Sequence, residues 1–436
     1  MSAPGSSAAL PSAGTLDRIA AIQGAVRDAG LQGWLFFDFH GTNPTARAIL
    51  GVGEGAGAPK TTRRWFYLVP ARGEPVKVVH RLEPAALDHL PGETHVYLTW
   101  AELDRAIAET IGGVGRGGER GGEHGGERGY ERGNERGREP SIAMEYSPLA
   151  RLPYVSRVDA GTVEMVRAAG AKVVSSADLA QRFGGVLSPE QRRDHVAAGR
   201  LVHDVIQGAF RHAADAVRAG TPCTEVSLQG WIRERLASAG LVSSDPPTVA
   251  VNEHSGDPHF SVSPAGDLRI GRGDFLLVDA WAKASRPGSV YADYTQVAFL
   301  GSSVPERHGE IFSIVCDARD RAIETVRAAL REGRPIRGCD VDDAARGVIR
   351  ERGYGERFVH RTGHSIGEEV HANGVHLDNL ETRDERQLLD GTLVSVEPGI
   401  YLEEFGVRSE VDLLIDGGEA VVTTEPIQTA IPALLA

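Results

Sequence analysis

The chain has 436 residues, which at about 100–200 residues per domain holds two or three domains with their own cores. It carries 47 basic and 60 acidic side chains, a formal net charge of −13. That balance argues against a nucleic-acid partner, because phosphate binding needs a basic face. No stretch of apolar residues is long enough to span a membrane. The three cysteines, Cys223, Cys316 and Cys339, make no C-x-x-C pair, and an odd count fits reduced thiols in the cytoplasm.

Residues 1–14 are rich in Ser, Ala, Gly and Pro and read as a disordered tail rather than a signal peptide. Residues 15–185 are expected to form a small α/β domain. Within it, Leu16 to Gly30 has apolar residues at helical spacing and a glycine stop. Trp34 to Phe37 is a short buried strand. Trp65 to Pro70 and Val76 to Val79 flank an A-R-G-E-P turn and predict a hairpin. Residues 112–139 collapse to a repeat of G-G-E-R type with almost no apolar content, which predicts a disordered insertion.

A second domain is expected over 188–436. Ser188 as N-cap and Pro189 at the first helical position predict a long helix to about Arg218, stopped by A-G-T-P. The remainder contains a weak repeat. R-A-G-T-P (218–222) recurs as R-E-G-R-P (331–335), and I-R-E-R at Ile232 recurs 117 positions later at Ile349. Asp279 to Glu397 is 118 positions and Asp293 to Glu410 is 117. Each half therefore reads helix, helix, then a hairpin bearing two carboxylates.

Asp279 interrupts the apolar run F-L-L-V-D-A-W, and Asp293 lies in V-Y-A-D-Y-T-Q-V. Their midpoint falls at Arg286 in the turn R-P-G, so the two should face each other across a hairpin. The same holds for Glu397 and Glu410 about Glu403 and Glu404. Like charges at about 4 Å repel by roughly 4 kcal/mol even at an effective dielectric near 20. Four together must bind protons or cations, and two divalent cations would balance them. His364, between Gly363 and Gly367, would add a nitrogen ligand. Oxygen-rich ligation with one imidazole suits Mn²⁺ best, with Co²⁺, Fe²⁺ and Zn²⁺ also compatible. Paired metals suit hydrolysis. His259, His360 and His371 are candidates to bind or polarise substrate, with His254 and His376 nearby in sequence.

The motifs V-H-R-T-G-H-S-I-G (359–367), V-E-P-G-I-Y (396–401), G-V-R-S-E (406–410), P-H-F (258–260) and the Asp279/Asp293 pair resemble the Xaa-Pro aminopeptidase, prolidase and methionine aminopeptidase family. The resemblance covers about residues 188–436. It implies an α+β protein: a pita-bread catalytic domain of duplicated helix-helix-hairpin halves, preceded by a smaller creatinase-type α/β domain. It implies metal ligands at Asp279, Asp293, His364, Glu397 and Glu410, with Glu397 also shuttling the proton. His259 and His371 match substrate-contacting, catalytic histidines. His360 and Arg408 match substrate-binding positions of the Xaa-Pro-cleaving branch.

The implied protein is a cytoplasmic, homodimeric metallo-exopeptidase, an aminopeptidase or dipeptidase with two divalent ions, manganese foremost. It would use a metal-bridging hydroxide on peptides with proline at the second position, with neither nucleic acid nor membrane as partner. The Asp279–Asp293 spacing is longer than the commonest family pattern, which implies a longer first hairpin and an altered substrate mouth. Gln296 and Val411-Asp412 also depart from that pattern. Two alternatives are a metal-free creatinase-like C–N hydrolase and a non-catalytic binding module. Retention of all five ligands and of His259 and His371 counts against both.

Overall fold

A computed structural model describes residues 13–53, 61–115 and 139–436. The chain divides into two compact units between Gly184 and Gly185. Among the described residues no helix is long and apolar enough to cross a membrane.

The amino-terminal unit contains α1 (Ala13–Asp28), β1 (Gly33–Asp38), α2 (Pro44–Leu50), β2 (Trp65–Pro70), β3 (Val76–His80), β4 (Glu93–Tyr97), α3 (Trp100–Gly115), β5 (Ser141–Met144), α4 (Ala160–Ala168), β6 (Lys172–Ser175) and α5 (Ala177–Gly184). The strands form one mixed sheet in the order β4-β3-β2-β1-β5-β6. The expected hairpin is β2–β3, antiparallel with Phe66 opposite Val78. Side chains alternate between faces, so the all-buried strand β1 feeds two cores. Trp34 and Phe36 join Ile22 and Val26 of α1 and Leu50 of α2. Leu35 and Phe37 join Leu103 and Ile107 of α3 and Val166 of α4.

The Gly-rich segment expected over 112–139 begins inside a helix. The apolar face of α3 continues through Ile111 to Val114, which packs on the second core, so helix persists to Gly115. Residues 116–138 lie outside the described residues, as do 1–12 of the expected tail.

The carboxyl-terminal unit opens on α6 (Pro189–Ala219). Ser188 caps it through a reciprocal capping box with Gln191, and Gly220 ends it in the left-handed conformation. There follow α7 (Glu225–Ser238), β7 (Leu241–Val242), β8 (Thr248–Val251), β9 (Phe275–Ala284), β10 (Ala292–Phe299), α8 (Glu306–Arg331) and α9 (Gly338–Glu351). The chain closes with β11 (Leu393–Val396), β12 (Gly399–Tyr401), β13 (Gly406–Arg408), β14 (Val411–Asp416) and β15 (Glu419–Val422). β9 pairs with β10, β8 and β7. β14 lies between β11 and β15. One core runs through both halves, from Ile206 and Leu228 on the first helix pair to Val315 and Ile349 on the second.

The helix-helix-strand order thus occurs twice. The two short helices start at Glu225 and Gly338, an offset of 113 that matches the R-A-G-T-P repeat. The I-R-E-R copies are 117 apart, so they sit one helical turn out of step and are not equivalent positions.

The first hairpin also corrects the sequence reading. Ala292 pairs with Ala282, which centres the turn on Pro287 rather than Arg286. Asp279 is therefore opposite Thr295, and Asp293 opposite Trp281. The two aspartates are diagonal neighbours on one face. The second pair behaves differently. Val396 pairs with Val411 and Gly399 with Arg408 in one continuous register, which sets Glu397 opposite Glu410. Both fall where the strands break, at Glu397-Pro398 and Ser409-Glu410, between β11/β14 and β12/β13.

Candidate metal centre

The two halves meet at their carboxylates. The Asp293 amide of β10 donates to Asp412 Oδ2 of β14 at 3.0 Å. Thr295 Oγ1 donates to Glu410 Oε2 at 2.6 Å. Asp293, His364 and Glu410 are all buried, and one ligand atom from each lies within 4.8 Å of the others. His364 Nε2 lies 3.4 Å from Asp293 Oδ2 and 3.4 Å from Glu397 Oε1. Asp279 joins through Arg408, whose Nη2 donates to Asp279 Oδ2 at 2.5 Å.

His364 is delivered on irregular backbone that runs against β11. The Ser395 amide donates to the His364 carbonyl, and the His364 amide to Ser395 Oγ at 2.9 Å. A Cβ on Gly363 would lie 1.9 Å from the Ser395 carbonyl oxygen, so only glycine permits this approach. His364 Nδ1 donates to the Ser365 carbonyl at 3.3 Å. With Nδ1 engaged there, Nε2 is the nitrogen turned toward the carboxylates and, once deprotonated, free to ligate, the arrangement found at metal-ligating histidines.

The electrostatics describe acids short of positive charge. Burial pushes the Asp279 carboxyl up to about 7 against the pull of Arg408. Burial, then the Asp293 carboxylate, drives Glu410 well above the usual carboxylate range. Burial would lower His364, but the carboxylates of Asp293 and Glu397 outweigh it and hold the imidazole above its ordinary value. Burial would raise Glu397, yet His364, His360 and Arg408 hold it low. Among the described residues Asp279 Oδ1 and Asp293 Oδ1 are buried without a hydrogen-bond partner. Buried carboxylate oxygens left without a partner, in a cluster that brings Asp293, His364 and Glu410 together, are the donor set a hard divalent cation takes, so the residues fit a metal.

The other predicted residues surround this cluster. The His371 ring, on an exposed residue, stands edge-on to His364 with centroids 4.3 Å apart. His360 Nδ1 donates to the Arg361 carbonyl at 2.8 Å, and its Nε2 accepts from the Tyr401 hydroxyl at 2.7 Å. Burial holds His360 down at about 4, so it is neutral near pH 7. Arg408 is buried and committed. Besides Asp279, it donates from Nε to Thr295 Oγ1 at 3.0 Å and from Nη1 to the Tyr401 hydroxyl at 3.3 Å. Its Nη1 also reaches the Pro258 carbonyl at 3.5 Å, one residue before the exposed His259. His254 stands apart, whereas His376 lies behind His364. His254 pairs with Glu225 at 2.9 Å, and His376 Nδ1 accepts the Ser365 amide at 3.1 Å. The three cysteines are free thiols, and burial pushes the Cys316 thiol up to about 11.

Sequence reasoning missed Thr295, Tyr401, Ser395 and Asp412, all of which hold a site residue directly. Ser395 Oγ donates to Glu397 Oε1 at 3.1 Å. Thr295 carried a usable signal, since it is two residues from Asp293 and shares its face. Asp412 did as well, two residues beyond Glu410.

An α+β fold with a buried carboxylate–imidazole cluster at the junction of two similar halves defines a metal-dependent hydrolase class. Residues 197–417, just over half of the chain, match metallopeptidase family M24, and the chain belongs to that family. It is 33% identical over 180 residues to an Xaa-Pro dipeptidase of Pyrococcus furiosus, covering 41% of this chain and 47% of that protein. The chain spans about half the length of the curated relatives it matches. In structure it resembles dipeptidase PepE of Mycobacterium ulcerans, with TM-score 0.63 and 22% identity over 96% of this chain and 98% of the other. It also resembles the X-prolyl aminopeptidase of Caenorhabditis elegans, a cytosolic enzyme with a di-nuclear active site. There the TM-score is 0.61 at 14% identity, over 95% of this chain and 63% of that one. The fold is the pita-bread fold of these proteins.

Proposed function

We propose that the protein is a metallo-exopeptidase that releases the residue preceding a proline at position two of a peptide. The observation that carries this reading is the buried convergence of Asp293, His364 and Glu410, with Asp279 Oδ1 and Asp293 Oδ1 left without a partner among the described residues. Asp279, Asp293, His364, Glu397 and Glu410 are the proposed ligands. Four carboxylates are balanced by two divalent cations, and the oxygen-rich set favours manganese. Bound there, such cations lower the pKa of water and polarise a scissile carbonyl.

The chain's own residues do the rest. Glu397, held low by its cationic neighbours, accepts a proton and returns it to the departing nitrogen. Ser395 fixes the orientation of that carboxylate. His371, exposed beside His364, is positioned to donate to the substrate. Neutral His360 and the exposed His259 line the approach. Arg408 acts mainly through Asp279, which it holds in place. The name of the Pyrococcus relative supports the proline preference, and the retained acids favour this reading over a metal-free C–N hydrolase.

The test is mass-spectrometric. Protein stripped with chelator and reloaded with Mn²⁺ is offered Xaa-Pro dipeptides, longer Xaa-Pro peptides and non-proline controls. Metal-dependent loss of one residue before proline is expected, and the length preference separates dipeptidase from aminopeptidase. Cleavage that persists unchanged in Glu397→Gln would remove Glu397 from the proton path.

A further inference from the structure

Trp281 has no part in the metal cluster, yet the register of the first hairpin places it directly opposite Asp293 and two residues beyond Asp279. Cross-strand partners share a face with Cβ atoms about 4.5–5.5 Å apart, and residues i and i+2 share a face as well. The indole therefore rises from the same surface as both aspartates. It is half-buried and packs on the apolar cluster built around Tyr291, Ile366 and Leu393. Val370 packs on the same cluster, one residue before His371.

The ring has little freedom to swing away. The Tyr291 amide donates to the Gly367 carbonyl at 3.0 Å. Lys283, two residues beyond Trp281, donates to the Glu368 carbonyl and stacks on Tyr291 at 4.8 Å. The hairpin bearing Trp281 and the segment leading to His371 are thus tied together just beyond the indole, on its turn side. Its Nε1–H is buried with no acceptor among the described residues.

We propose that Trp281 is a specificity-determining residue, the wall that limits the size of the first side chain of the substrate. The inference rests on the peptidase reading above, which puts the scissile bond beside the aspartates and His371. A large planar ring on a strand cannot retreat as a loop residue could, so a bulky first residue meets it while glycine or alanine passes. Hydrophobic pockets discriminate between side chains by about 10–200-fold per added methylene-sized group.

The test compares parent, Trp281→Ala and Trp281→Phe in the Mn²⁺-loaded protein. One measurement is kcat/KM for Ala-Pro and Phe-Pro, and a second is calorimetric binding of free alanine and phenylalanine, which needs no turnover. Trp281→Ala is expected to raise the phenylalanine-to-alanine ratio by about tenfold or more in both measurements. Trp281→Phe, which keeps a ring, should stay close to the parent. Trp281→Leu replaces the alanine variant if the latter does not fold. An unchanged ratio in folded, metal-loaded Trp281→Ala overturns the proposal, as does an equal shift in Trp281→Phe. If the parent cleaves no Xaa-Pro peptide, the peptidase reading fails by itself, and the binding ratio still decides the role of Trp281.

Discussion

Arg408 donates to Asp279 at 2.5 Å and is the guanidinium that partly offsets the acidic cluster from within. Its Nε also lies 3.8 Å from Glu397 Oε2. Removing one partner of a buried ion pair typically costs about 3–5 kcal/mol, because the other charge is left uncompensated. Arg408→Ala should therefore destabilise the metal-free protein by about that amount. Bound Mn²⁺ would supply the missing charge and narrow the deficit. Urea unfolding of both proteins, with chelator and with Mn²⁺, checks this. Equal stability of the two in chelator would remove Arg408 from the charge balance.

In the metal-free protein Asp279 should respond to pH in an unusual direction. Burial raises Asp279 to about 7, and His364 is also raised by its carboxylate neighbours. A group with a raised folded-state pKa contributes stability that is complete below its unfolded pKa and is lost as pH rises through the folded one. Asp279 thus loses its contribution between about pH 4 and pH 7, and His364 loses its own at higher pH than an ordinary histidine. Buried histidines held low, His195 and His360 at about 4, act in the opposite direction, so the effect of Asp279 is read as a difference: in chelator the melting temperature of the parent relative to Asp279→Asn should fall as pH increases from 5 to 8. Metal requires deprotonated ligands, so Mn²⁺ should stabilise more at pH 8 than at pH 5. Thermal scans of the two chelated proteins across that range decide it, and a parent-minus-variant difference that grows with rising pH would contradict the assignment.

The site was legible where spacing alone carries the information. Asp293, His364 and Glu410 were found from their strand-like contexts and close motifs, and they do converge. The helix opening at Ser188 was legible because capping is local chemistry. Register was not. A one-residue displacement of the turn centre, from Arg286 to Pro287, moved Asp279 from Asp293 to Thr295 and put Trp281 beside Asp293. Turn geometry depends on backbone conformation across 285–291, which residue types there do not determine uniquely. Ser395 was also illegible, because its importance lies in contacts to His364 that only the meeting of distant segments creates.

Asp412 should matter to metal binding without touching metal. It accepts the Asp293 amide at 3.0 Å, and His195 Nε2 lies 3.8 Å from the same oxygen. His195 is itself held by the Tyr291 carbonyl at 2.8 Å and Thr423 Oγ1 at 2.6 Å. Groups that orient metal ligands typically contribute about 10–100-fold to affinity or activity. Asp412→Ala should weaken Mn²⁺ affinity by that factor. Asp412→Asn, which still offers an oxygen to the Asp293 amide, should recover most of it. Calorimetric Mn²⁺ titration of the chelator-stripped proteins distinguishes the two variants, and identical affinities in both would show that the contact does not position Asp293.

In the amino-terminal unit the buried carboxylate of Glu145 gathers three donors. Its Oε1 accepts Trp34 Nε1 at 2.6 Å and Ser176 Oγ at 3.2 Å, and its Oε2 accepts Asn43 Nδ2 at 2.9 Å. These tie β1, the Asn43 cap of α2 and the segment after β6 to one group. Glu145→Ala leaves the Trp34 and Ser176 donors buried without an acceptor, at roughly 1–3 kcal/mol each. Burial raises the Glu145 carboxyl above its ordinary value even against these donors. Its contribution is therefore full below the unfolded pKa and declines as pH rises through the folded one. The stability gap between parent and Glu145→Ala should be widest in mild acid and should narrow toward neutral pH. Denaturation followed by tryptophan fluorescence, to which Trp34 and Trp65 of this core both contribute, measures that gap. A gap that widens with pH would mean that the donors, rather than burial, set the protonation of Glu145.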